Sequence, residues 1–183
     1  MLTDLEIVNN ALGRLNCERI VSLDDNNKRA KIAKDYLSNS RKVALEFGPW
    51  DFALTRATLT SIGTPEFEYQ HLFCKPEDLI SIVSEFNESE YFVEGDNILS
   101  DAPTLLIKYV KDIDENTKRS ASFDKAWYLA LASEMAYSLT QNTGLKDSLM
   151  AEASLLAPSA MHFNSKGSTP ISYEIDTFLD SRL

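Results

Sequence analysis

A chain of 183 residues with 44% hydrophobic residues and a formal net charge of −10 has the material for a real core and the size of one domain, or of one domain with an appendage. No run approaches the roughly eighteen apolar residues of a membrane span. The acidic opening Met1-Leu2-Thr3-Asp4-Leu5-Glu6 lacks the basic and apolar regions of a signal peptide, so synthesis and folding in a host cytoplasm are expected. Two cysteines (Cys17, Cys74) and two histidines (His71, His162) argue against a disulfide framework and against a Cys- or His-based metal centre, and no cofactor is expected.

In chain order, Thr3-x-x-Glu6 is a capping-box pattern, and Leu5, Val8, Leu12 and Leu15 recur at helical spacing, predicting a helix over 4–16. After the polar break Asp24–Asn27, a second helix is predicted over 27–47, with Ala33, Tyr36, Leu37, Ser40, Ala44 and Phe47 on its inner side and Gly48-Pro49 as its stop. From Trp50 to about Val110 the pattern is strand-like: Thr55–Ile62, Phe67–Phe73, Ile80–Phe86, Tyr91–Glu94, Asn97–Ser100 and Leu105–Val110. In the second of these, Phe67, Tyr69, His71 and Phe73 are expected to share a face. Glu94-Gly95-Asp96-Asn97 reads as a hairpin turn.

Helix returns over 123–141, with Ser122 as the expected N-cap and Phe123, Trp127, Ala130, Leu131 and Ala136 as a buried stripe. Asn142-Thr143-Gly144 separates it from a fourth helix over 145–163, which Pro158 is expected to kink or shorten. The fold expected is therefore α+β. Residues 1–49 and 120–163 would form an antiparallel-type bundle of about four helices, with a small, mostly antiparallel β region (50–119) inserted. An extended tail (164–183) follows. Its apolar points Ile171, Tyr173, Ile175, Phe178 and Leu179 argue for docking on another surface, since a solvated tail has little use for them.

The charge is uneven. Residues 51–124 hold six Lys/Arg against fifteen Asp/Glu, whereas 1–50 hold eight against seven. The acidic middle argues against tight, charge-driven DNA binding there. Lys28, Lys31, Lys34, Arg41 and Lys42 make the second helix the most basic part of the chain. That face can contact phosphate, pair with the acidic middle of a neighbouring subunit, or be an ordinary exposed helix face, and charge complementarity favours the protein interface over DNA.

Catalytic patterns are scarce. Neither the dinucleotide nor the Walker glycine pattern occurs, and no serine sits in a nucleophile elbow. Strand alternation puts His71 and Cys74 on opposite faces with no orienting third group. Glu85, Glu88 and Glu90 near an apparent turn offer a carboxylate pair for glycoside cleavage, with a solvated loop as the better reading. No enzyme is expected.

Short motifs in a fixed order carry a resemblance. They begin with Asn10-Ala11-Leu12-Gly13-Arg14-Leu15, Val21-Ser22-Leu23-Asp24-Asp25, Ala33, Tyr36, Arg41 and Leu45. The most specific stretch is Pro49-Trp50-Asp51-Phe52-Ala53 with Arg56-Ala57-Thr58-Leu59. Then come Pro76-Glu77-Asp78-Leu79, Asp101-Ala102-Pro103, Lys108-Tyr109-Val110, Phe123-Asp124, Leu131 to Gln141, and the ending Phe178-Leu179-Asp180-Ser181-Arg182. Over roughly residues 5–182 the chain resembles the tail tubular protein A family of short-tailed (podovirus-type) phages. It departs from the family at Cys74-Lys75-Pro76, where leucine-proline is commoner, and at Pro158.

The resemblance implies a structural virion protein, a head-to-tail adaptor at the head–tail junction. Its copies would form a ring, commonly of twelve, between the portal protein and the tail nozzle protein, with DNA passing through and no sequence-specific binding or membrane contact. It supplies no catalytic residues. Ile171, Tyr173, Phe178, Leu179 and Arg182 would dock on the portal or a neighbour, the basic helix face would serve subunit contacts, and Pro49, Trp50 and Phe52 would be core. The alternatives are a virion-associated, peptidoglycan-degrading glycosidase using a Glu pair, and a small binding protein with no place in the virion.

Overall fold

The computed structural model describes residues 1–86, 89–113 and 117–164, with 157–164 as helix backbone alone. Helix α1 (Asp4–Arg14) starts as the sequence predicts: the Thr3 side chain accepts the Glu6 N–H, and the Glu6 carboxylate accepts the Thr3 N–H at 2.7 Å. Helix α2 (Lys28–Glu46) is capped by Asn27, whose Oδ1 accepts the Ala30 N–H. A single 3-10 turn, Asp51–Ala53, leads into strand β1 (Leu54–Thr60). Strands β2 (His71–Cys74), β3 (Leu79–Glu85), β4 (Tyr91–Glu94), β5 (Asn97–Ser100) and β6 (Thr104–Lys111) precede helices α3 (Ala121–Thr140) and α4 (Thr143–Asn164).

The strands form two antiparallel three-stranded sheets, ordered β1-β6-β3 and β2-β5-β4. Strands β4 and β5 are a hairpin closed by Gly95-Asp96, with Gly95 at φ +57, a conformation that suits glycine. The inner faces of the sheets meet over a small core: Phe73 and Ile98 from one, Leu105, Ile107 and Tyr109 from the other. A larger core gathers Ile7, Leu12 and Leu45 from α1 and α2, Phe123, Trp127 and Leu131 from α3, and Trp50, Val110 and Ile113 from the connecting and strand segments.

The α+β class stands, but the four-helix bundle does not. Helix α3 lies at the centre, buried around most of its circumference from Phe123 to Ala136, well beyond the expected stripe. Helices α1, α2 and α4 each pack mainly on α3, α1 barely meets α2, and α2 also packs on β3. The physical reason lies in α3 itself: a helix apolar all round is enclosed by several different elements and does not take an equivalent place in a ring of four. Trp50, Ala53, Val110 and Ile113 fill core positions that a bundle would assign to helices.

Other corrections are local. Ser120, not Ser122, caps α3, its Oγ accepting the Phe123 N–H. Strand β2 begins only at His71, because Glu68 takes a positive φ and Tyr69 turns back on the Phe67 carbonyl. His71 and Phe73 share a face, while Phe67 and Tyr69 lie outside the strand. Helix α4 is not shortened at Pro158 but runs on to Asn164.

Candidate interaction surfaces

Within the proline-tryptophan motif Trp50 is a core residue, while Pro49 and Phe52 are half-buried. Trp50 is buried, donates its indole N–H to the Ala44 carbonyl at 2.9 Å, and meets Phe123 edge-on with ring centroids 5.1 Å apart. Phe52 stands 5.0 Å from the same ring, so Pro49-Trp50-Asp51-Phe52 ties the end of α2 to the start of α3.

A buried polar staple that sequence reasoning missed lies nearby. Arg119 donates to Asp124 Oδ1 at 2.9 Å and to the Leu2 carbonyl at 2.7 Å, while Asp124 Oδ2 accepts the Leu2 N–H at 2.7 Å. The guanidinium also lies 4.9 Å from the Trp127 ring, a cation–π geometry. These side chains are 3% and 2% exposed. Only the charge pattern Arg119…Asp124 hinted at it; the chain's second residue, far away in sequence, completes it.

The basic face of α2 is largely tied up within the chain. Arg41 makes a two-pronged pair with Asp112 (both contacts 3.1 Å), Lys34 pairs with Asp24 at 2.8 Å, and Lys28 reaches the Ser138 carbonyl at 2.9 Å. The Asp24 carboxyl is held below its usual range, by the Lys34 hydrogen bond first and its charge second, and Lys34 is raised by the same contact. Lys31 and Lys42 remain exposed on this face. The tail residues Ile171, Tyr173, Phe178, Leu179 and Arg182 lie outside the described residues, as does Glu88.

Among the acid-pair candidates, Glu85 and Glu90 line one open depression with Tyr69, Ser89 and Tyr91. Glu85 accepts the Ser89 N–H at 3.2 Å. His71 Nδ1 lies 3.3 Å from Ser61 Oγ on the surface. Cys74 is also exposed, at the far end of the strand.

Two sheet faces stand out. On the outer face of β2-β5-β4 the register aligns Leu72, Leu99 and Phe92 in one row. With Pro65 and Phe67 they line a groove of about 320 Å³ rimmed by Glu66, Glu68 and Glu94. Phe67 is 72% and Phe92 54% exposed, and all four residues of β4, an edge strand, are open to solvent. The outer face of β1-β6-β3 differs: Arg56 stands directly opposite Lys108, and Thr58 opposite Leu106. Sequence alternation could have located both faces, since each outward residue is two positions from the next. Against known proteins, no family model and no curated protein matches this chain.

Proposed function

We propose that this protein is a structural subunit of a short-tailed phage particle, a head-to-tail adaptor that assembles between portal and tail nozzle and leaves a passage for DNA. The ordered motifs that resemble the tail tubular protein A family support this reading. The observation that carries it in the folded chain is the outer face of β2-β5-β4. An apolar row with Phe67 and Phe92 exposed and an acidic rim is the profile of a protein interface, not of a solvated surface. Its edge strand β4 leaves backbone groups open for pairing with another chain.

Assembly is the mechanism: head-to-tail contacts between copies close a ring when the rotation between neighbours divides the circle. Lys31 and Lys42 face solvent on α2, and the acidic rim of the outer sheet face offers them a complement on the next copy. Docking of the C-terminal tail on the portal or a neighbour belongs to the same proposal.

The test is negative-stain microscopy of this protein mixed with the portal protein encoded alongside it, with a chain truncated after Gly167 and a Phe92→Asp variant in parallel. An added ring on the portal, weakened by either change, is expected. A well-folded full-length protein that adds no ring refutes the adaptor reading.

A further inference from the structure

The outer face of β1-β6-β3 holds an unusual pair. Arg56 and Lys108 are registered opposite one another on adjacent antiparallel strands, an arrangement in which like charges repel. Neither side chain has a hydrogen bond or ion pair among the described residues, in a chain whose net charge is −10. Both line one depression of about 310 Å³. Arg56 also borders a second, of about 350 Å³, whose walls are mainly apolar and include Phe86, 54% exposed, and Leu106. The two depressions share Arg56, so a cationic hollow adjoins an apolar one on this face.

We infer that this surface receives the protein's C-terminal segment, residues 174–180, with Phe178 against Phe86 and Leu106 and the Asp176 carboxylate on Arg56 and Lys108. The segment Glu174-Ile175-Asp176-Thr177-Phe178-Leu179-Asp180 supplies three carboxylates and no cation. In an extended chain Asp176, Phe178 and Asp180 would point the same way, carboxylate, aromatic, carboxylate. Reach is not limiting: the twelve residues from Asn164 to Asp176 span up to about 40 Å, comparable with the width of a domain this size. A nucleic-acid backbone would satisfy the two cations but sets nothing against Phe86 and Leu106. The other groove, rimmed by Glu66, Glu68 and Glu94, would repel this acidic segment. The inference deepens the tail-docking part of the adaptor reading by naming the surface that receives the tail.

The experiment uses the full chain carrying Phe178→benzoylphenylalanine, photolysed at low salt and mapped by mass spectrometry. Crosslinks are expected on residues 54–60, 86 and 104–111, within one chain or between two. Arg56→Glu with Lys108→Glu should lower their yield about fivefold or more, since attraction becomes repulsion at both positions. Adding Asp176→Lys and Asp180→Lys to that variant should restore them. Crosslinks on another face, or a yield indifferent to charge reversal in a protein with unchanged circular dichroism, overturn the inference. So does duplex DNA binding that depends on Arg56 and Lys108 without any tail crosslink. A ring that forms on the portal without these crosslinks refutes this inference and leaves the adaptor reading intact; crosslinks without a ring do the reverse.

Discussion

Asp124→Ala removes the carboxylate at the centre of the buried staple. Three groups then lose that carboxylate: the Arg119 guanidinium, whose side chain is 3% exposed, the Leu2 N–H, which had its acceptor at 2.7 Å, and the Met1 ammonium 3.9 Å away. Breaking a buried ion pair from one side costs about 3–5 kcal/mol, because the remaining charge stays desolvated. The low end applies here, about 3 kcal/mol, since Arg119 keeps its bond to the Leu2 carbonyl and its place against Trp127. That is a large fraction of a typical domain stability of about 5–15 kcal/mol. Urea unfolding followed by far-ultraviolet circular dichroism should show the midpoint falling with an unchanged slope. Replacing both members, Arg119→Met with Asp124→Leu, should cost less than Asp124→Ala alone, as no charge is then stranded. A loss below about 1 kcal/mol for Asp124→Ala, the value of an exposed pair, would refute the argument by showing that water reaches the guanidinium.

Other outcomes follow from the same geometry. Burial first, and then the hydrogen bond and charge of Asp78, push the Tyr109 hydroxyl up to about 12 from 10.0. Its folded value is the higher one, so its contribution to stability is complete below pH 10 and is lost between pH 10 and about 12. Tyr109→Phe should flatten that alkaline decline in thermal unfolding. Trp50→Ala should cost about 3–5 kcal/mol in urea unfolding, combining a large cavity with an orphaned Ala44 carbonyl. Arg41→Ala should lower stability by roughly 1 kcal/mol, because its partner Asp112 is in the same chain. Lys31→Glu with Lys42→Glu should leave stability within about 0.5 kcal/mol of the parent and weaken ring formation on the portal.

Among the described residues, each α-helix and strand was visible in the sequence, most boundaries falling within one or two residues, while the 3-10 turn Asp51–Ala53 was missed. The capping box at Thr3 and Glu6, the Gly95 turn and the strand alternation are local signals, set by backbone sterics and by hydrogen bonds a few residues apart. The errors were local competitions of the same kind: two hydroxyl residues, Ser120 and Ser122, each suited to cap α3, and a positive φ at Glu68 that delayed β2. Likewise the apolar faces of α1 and α2 followed from periodicity.

The partner of each face was not legible. A stripe says that Phe123 and Trp127 are buried, not that Trp50 and Phe52 cover them, and so the bundle was the wrong assembly of correct helices. The same limit governed charge. Sequence alone located the cations of α2 and the acids of the middle segment, but tertiary structure decided that Arg41 meets Asp112, that Arg119 and Asp124 close over Leu2, and that Arg56 faces Lys108. Periodicity is a property of one segment and can be read along the chain. Contacts between segments distant in the chain depend on how they meet in space, and only the folded protein decides them.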